Sequence, residues 1–250
     1  MNSFTSYNLI SRSLPETLAR TAKQPSVARE IAYYQSKIGN VKTIDDFLKD
    51  TRLFTFAMKA WGLEDMSYAK GLMRKVLEGG IDDPASPANR LASGRFREFA
   101  AVFNFKSYGK ATTAFDKVQQ GTVDAFVRQT LEKEKGEQNT AIQLALYFER
   151  KAPSIKSAMH ILADRNLLKV VQTALDIPAF TASSRIDSQA SLIEQKLNVA
   201  DLQDPSRLKK FLQRFAARYD LAHGTPNVGV GLMGGVGLNG DLLMSLQRLR

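Results

Sequence analysis

Residue types able to carry chemistry are sparse in this chain. Two tandem hexapeptides near the C-terminus, Gly229-Val-Gly-Leu-Met-Gly234 and Gly235-Val-Gly-Leu-Asn-Gly240, each spell G-x-G-x-x-G, the pattern that lets a backbone approach a pyrophosphate. It works as the turn between a strand and a helix, with an acidic residue about twenty positions further on. No strand pattern precedes Gly229 and only 10 residues follow Gly240, so dinucleotide binding is not expected, and without G-K-[ST] neither is a phosphate loop. The 2 histidines each have one carboxylate at helical spacing, His160 with Asp164 and His223 with Asp220. A zinc site needs three or four ligands, so no metal is expected. The carboxylate pairs Asp45-Asp46, Glu64-Asp65 and Asp82-Asp83 fall at inferred helix starts and turns, where capping explains them. With 0 cysteines there is no disulfide, thiolate ligand or cysteine nucleophile, and no G-x-S-x-G elbow is present. The chain reads as a non-enzyme, with no catalytic, cofactor-binding or metal-binding residue.

The elements that position these residues are helical. Ile44, Phe47, Leu48, Leu53, Phe54, Phe56, Ala57, Ala60 and Trp61 recur at three- and four-residue spacing, one buried face of a helical segment. Thr43 with Asp46 reads as the capping box that opens it. Ser13-Leu-Pro-Glu16 is a second start signal, with Ser13 as cap and Pro15 in the first turn. Further helices are expected over 27–34, 68–77, 95–103, 123–134, 141–150, 154–163, 167–175, 190–197 and 207–219. No clean period-two alternation bounded by hairpin turns is evident. The fold class is all-α.

An internal repeat sharpens this. Residues 33–63 laid over 147–177, at a constant offset of 114, are identical at 7 of 31 positions: Tyr33/Tyr147, Lys37/Lys151, Lys42/Lys156, Leu48/Leu162, Asp50/Asp164, Leu53/Leu167 and Ala60/Ala174. With small shifts, Asp83-Pro84 answers Asp204-Pro205, and Phe99-Ala-Ala-Val-Phe103 answers Phe215-Ala-Ala-Arg-Tyr219. The expectation is two related modules packed as one body, at 27–105 and 141–221. They follow an N-terminal arm or helix at 1–26 and are joined by a connector and helix at 106–140. In the connector, Phe103, Phe105, Tyr108 and Phe115 alternate with Lys106, Lys110 and Lys117, a mixture found in single-stranded nucleic-acid sites. The stronger reading ends the first module's core helix at Phe103 and Phe105, with an ordinary solvated loop beyond.

The segment 222–250 differs in kind. Seven glycines between Gly224 and Gly240 cannot hold a helix, so a flexible Gly-rich tail is expected. It ends in a short amphipathic stretch whose stripe is Leu242, Leu243, Leu246 and Leu249. Near the other end Ile10, Leu14 and Leu18 form a stripe at four-residue spacing. These seven residues are the candidate partner-binding positions.

Composition bounds the rest. A chain that is 44% apolar and 24% charged has enough material for a real core. The net charge of +10 is concentrated at the ends, with six basic and two acidic residues in 1–42 and seven basic and two acidic in 206–250. Neither end has a run of four or more basic residues, which argues against a nucleic-acid partner. No secretory signal pattern and no membrane-spanning stretch occur. Synthesis in the cytoplasm is expected, and any export would use a route that reads no cleaved signal.

The stretch SYNLISRSLPETLARTAKQPSVAREIAYYQSKIGNVKTIDDFLKDTRLFTFAMKAWGLEDMSYAKGLMRKVLEGGIDDP resembles a bacterial family of uncharacterised proteins, as do the later VRQTLE, LALYFERKAPSI and LADRNLLKVVQTAL. Members of that family are usually encoded among flagellar basal-body and hook genes. The resemblance runs from Thr5 to Leu221 and is most specific from Ala28 to Leu77. It implies an all-helical fold and a flagellar association, and it supplies no catalytic residue to carry over; no cofactor is expected. The expectation is a non-enzymatic flagellum-associated structural or assembly protein. Its partners would be other flagellar proteins, self-association among them, and it could be exported to the basal body or hook. The alternatives are a cytoplasmic export chaperone or regulator of flagellar assembly and, behind these, a basic helical nucleic-acid-binding protein.

Overall fold

A computed structural model describes residues 2–178 and 184–223, and every α-helical or 3-10 element in those residues fits the all-α expectation. At the N-terminus α1 (Ser3–Arg12) and α2 (Leu14–Ala22) meet at Ser13. Pro15 enforces the break, because it lacks an amide hydrogen and its ring would clash with the preceding turn of a continuous helix. Then come α3 (Pro25–Ile38), α4 (Ile44–Lys49), α5 (Thr51–Ala60) and α6 (Lys70–Gly79), followed by three short elements, α7 (Pro87–Arg90), α8 (Gly94–Val102) and α9 (Phe105–Tyr108). The long α10 (Gln120–Gln138) leads into α11 (Thr140–Lys151), α12 (Ala158–Leu162), α13 (Arg165–Leu175), α14 (Ile186–Lys196) and α15 (Pro205–Ala222).

The capping box at Thr43 and Asp46 is present and opens α4. The apolar stripe from Ile44 to Trp61 does not run as one helix, however. Asp50 leaves the helical region (φ −81°, ψ 93°) and accepts from the Leu53 amide at 3.0 Å, so a side-chain cap starts a new helix in the middle of the stripe. Ser13 behaves differently from its sequence reading: its hydroxyl donates back to the Leu9 carbonyl at 3.2 Å and does not cap α2.

A three-helix unit recurs at the offset of 114. Helices α3, α4 and α5 fall on α11, α12 and α13 to within two residues at every boundary. Tyr33 donates its hydroxyl to Asp50 at 2.8 Å, and Tyr147 does the same to Asp164, which caps α13 as Asp50 caps α5. An arginine lies over each ring, Arg52 over Tyr33 and Arg150 over Tyr147, 4.0 and 5.1 Å from the centroids, although the two arginines do not correspond at this offset. The third helix ends alike in both units. Gly62 (φ 71°) and Asp176 (φ 57°) take the left-handed conformation, and Leu63 and Ile177 donate their amides to Met58 and Gln172, the closing bond of a Schellman turn.

The likeness stops there. Asp204 and Pro205 cap and begin α15, whereas Asp83 and Pro84 make a surface turn in which Asp83 accepts from the Ala85 amide at 2.8 Å. Phe99 and Phe103 pack on Phe47 of α4, with ring centroids 6.3 and 4.8 Å away. Their counterparts on α15 lie instead along α13. The helix lying along α5 is α10, so the two units are closed by different parts of the chain.

Two apolar cores result. The first gathers buried residues from Val27 to Val127, with Tyr34, Phe47, Leu53, Phe54 and Phe99 at its centre. The second gathers Tyr7 and residues from Leu131 to Ala216, around Leu146, Phe148, Val170 and Phe215. Phe103 and Phe105 are buried in the first core, whereas Tyr108 and Phe115 stand exposed as an edge-to-face pair 4.8 Å apart. The segment 106–140 is thus more than a connector: α10 puts Val123, Phe126 and Val127 into the first core and Leu131 into the second. The N-terminal arm divides as well, since Tyr7 enters the second core while Leu18 touches both.

Where α10 meets α11, Glu132 is 2% exposed. It accepts from Arg128 at 3.1 Å and from Arg150 at 2.8 and 2.9 Å. Arg128 also donates to the Leu146 carbonyl at 2.7 Å and to Glu149 at 3.3 Å. Lys151 pairs with Glu98, tying α11 to α8 of the first half. A buried charge deprived of its partner is far more costly than the pair is stabilising. Glu132→Ala takes from Arg150 the carboxylate it pairs with and from Arg128 one of its two, and is expected to lower unfolding free energy by about 3 kcal/mol in urea melts. Replacing Arg128, Glu132 and Arg150 together by apolar residues should cost less than that single change.

Candidate functional site

The residues singled out for chemistry are committed to structure. His160 accepts from the Lys156 amide at 3.0 Å through Nδ1, and Asp164 serves Tyr147 and the start of α13, so the two do not pair. His223 stacks on Tyr219 with centroids 3.9 Å apart, and its ring nitrogen lies 3.0 Å from the Tyr219 carbonyl. Asp45 pairs with Arg74, Glu64 with Lys133 at 3.1 Å and Asp65 with Arg95 at 4.0 Å, while Asp82 accepts from Ser107 at 3.1 Å. Among the described residues no group of three His, Asp or Glu side chains is placed to hold a metal ion. No helix of the described residues is long and apolar enough to cross a membrane.

Asp220, read from sequence as the neighbour of His223, has a different role. It is 4% exposed and turns toward the start of α1, where its two oxygens accept from the Ser3 and Phe4 amides at 3.1 and 3.2 Å. The first amides of a helix have no partner in their own backbone and carry the positive end of its dipole, so one carboxylate 217 residues away satisfies two of them. Asn2 caps α1 in the ordinary local way, accepting from Thr5 at 2.9 Å. Asn139 donates to the Ser3 hydroxyl at 2.9 Å, and Gln213 donates to Asn8. These contacts seat α1 in a slot between α11 and α15. Its anchor is Tyr7, fully buried in the second core, with a hydroxyl that has no hydrogen-bond partner among the described residues. Burial pushes that phenol well above its ordinary pKa, Glu149 adding to the effect and Arg128 opposing it.

The partner-binding positions expected near the N-terminus are largely taken up by this arrangement. Ile10, Leu14 and Leu18 are partly buried against the second core, and Leu18 reaches the first as well. Leu242, Leu243, Leu246 and Leu249 lie outside the described residues. The apolar side chains left in water around the slot are Phe4 (41% exposed), Leu9 (59%) and Leu221 (76%), none of which was singled out beforehand. A sequence signal for Asp220 did exist. A carboxylate in the last turn of a helix opposes the helix dipole, so an aspartate there calls for a compensating partner. Nothing local reveals that the partner is the other end of the chain.

Fold and site together define a protein of helices held by interlocking caps and ion pairs, whose polar groups hold chain segments in place. The chain belongs to the family described as Protein of unknown function (DUF1217), which matches residues 60–208 and so runs across both cores. The crystal structure of a protein from Agrobacterium tumefaciens is similar, with a TM-score of 0.82 and 46% sequence identity over 89% of this chain and 94% of that one. No curated protein matches the chain.

Two substitutions separate the parts of the slot. Asp220→Ala leaves two helix-end amides without acceptors and is expected to destabilise the chain by about 1–2 kcal/mol, read by thermal or urea unfolding. Tyr7→Phe removes a buried hydroxyl that makes no bond and is expected to leave stability unchanged or raise it by up to about 1 kcal/mol.

Proposed function

We propose that this protein is a non-enzymatic structural or assembly component associated with the bacterial flagellum, acting through contacts between helices. The flagellar part of this reading is supported by the resemblance of residues 5–221 to proteins encoded among basal-body and hook genes. The observation that carries the contact role is the use made of the polar side chains. Asp46, Asp50, Asp164, Asp204 and Asp220 accept from helix-start amides, Glu132 and Glu149 are held by arginines, and both histidines engage backbone. These groups act as fixings between elements, and residues gathered around a substrate would be arranged differently.

The proposed contact region is the end of the body where α1 and α15 meet. Phe4, Leu9 and Leu221 are exposed there, and the outer face of α15 carries Arg207, Lys210, Arg214 and Arg218 at one-turn spacing. Removing the gene is expected to reduce motility and the number of complete flagella, scored on soft agar and by electron microscopy. Normal flagella and normal swimming in the deletion strain would sink the reading. Recovery of the protein in purified basal bodies or culture supernatant fits a structural component, and confinement to the cytoplasm fits an assembly chaperone or regulator.

A further inference from the structure

The slot that holds α1 is chemically specific. With α1 absent, the Asp220 carboxylate would face water in a groove between α11 and α15, and an occupant that displaces that water must supply donors in its place, because burying the carboxylate without them is costly. Two adjacent amides pointing the same way are what the first turn of a helix offers. The other fixtures narrow the occupant further. Asn139 requires an acceptor where Ser3 sits, Gln213 one where Asn8 sits, and the second core needs an aromatic ring where Tyr7 sits. A helix that begins Asn-Ser and carries tyrosine and asparagine one turn further on satisfies all of these. That description is α1 itself, and every copy of the chain carries one.

The docking of α1 is also separable from the rest of the N-terminal arm. It is joined to α2 through Ser13 alone. Helix α2 has fixings of its own: it lies on α10, Leu18 and Ala22 pack on the first core, Leu14 and Leu18 pack on the second, and Gln24 at its end donates to Glu134 at 3.2 Å. Tyr7 is the one apolar side chain of α1 that is fully buried, and Ile10 is only partly so. Phe4 and Leu9 remain in water. An element held mainly by end bonds and a single ring, on a one-residue hinge, is of the kind drawn from the low-stability end of a fold.

We propose that the slot between α11 and α15 accepts α1 from a second copy of this chain, so that neighbouring copies are joined by exchanged N-terminal helices. The bonds made in the slot are identical whether α1 arrives from the same chain or another. Exchange is therefore decided by local concentration and by apolar packing formed beside the slot. Phe4, Leu9 and Leu221 supply that packing, because exchange brings a second body next to apolar groups that a lone chain leaves exposed. The flagellar reading is not required for this inference, and the two fail separately: exchange is read on purified protein, whatever the deletion strain does.

The absence of cysteine makes the test direct. Full-length chains carrying Ser3→Cys and Asn139→Cys, with tags of different mass, are mixed in equal amounts over a range of concentrations and oxidised mildly. A mixed disulfide-linked dimer that grows with concentration, and falls when the Asn139→Cys chain also carries Asp220→Ala, is the expected result. A second arm needs no disulfide: the unmodified full-length chain and a full-length Asp220→Ala chain are each followed by light scattering over the same concentrations. The unmodified chain is expected to move from monomer toward dimer as concentration rises, and the Asp220→Ala chain to do so less. The absence of a mixed disulfide-linked dimer and of any dimer of the unmodified chain, up to about millimolar protein, overturns the proposal.

Discussion

Everything in this molecule hangs on one helix that belongs to both halves, and on the charge that fixes its position. Glu132 is buried on α10 between Arg128, one turn back, and Arg150 of α11. A carboxylate held by two guanidinium groups in a dry joint tolerates little displacement, since any shift breaks a charge-assisted bond that water cannot replace. With α10 pinned there, Phe126 stacks on Phe56 at 3.9 Å on one side and Leu131 enters the second core on the other. Rotating α10 by one residue, about 100°, would withdraw both. Arg128 of this joint, and Glu149 beside it, also lie within electrostatic reach of the Tyr7 hydroxyl.

The recurring three-helix unit cannot bury its apolar face alone. Each copy has a tyrosine bonded to an aspartate cap and a Schellman turn at its end, and each leaves one side open for a closing helix. Connectivity decides which helix arrives. The first unit is followed by short elements and then by α10, which lies along α5; the second is closed by α15 along α13, with α1 returning from the far end of the chain to complete it. The unit is therefore repeated while its surroundings are not, and in the second half Asp220, in the last turn of α15, meets the start of α1.

Much of the fold was legible beforehand for physical reasons that act locally. Apolar spacing marks buried helix faces, Thr43 and Asp46 mark a helix start, and the pairs Tyr33/Tyr147 and Asp50/Asp164 mark the repeat. The break at Asp50 was less visible, because an aspartate within an apolar stripe reads equally as a solvent-facing helical residue until its side chain is seen capping Leu53. The candidate site was legible only in part. The stripe at Ile10, Leu14 and Leu18 does mark a contact face, but one that the chain's own cores occupy. Phe4 and Asp220, separated by most of the chain, become neighbours only after folding.

The class of fold, the three-helix repeat and the scarcity of groups suited to catalysis all follow from the order of residues, because helix periodicity, capping and residue chemistry act over a few positions at a time. Folding in three dimensions was needed to make α10 a helix shared between two cores, Glu132 the buried joint, and Asp220 the cap of the first helix. Each of those depends on groups 18 to 217 residues apart along the chain, and no local preference encodes which distant partner a buried charge or an open helix end will meet.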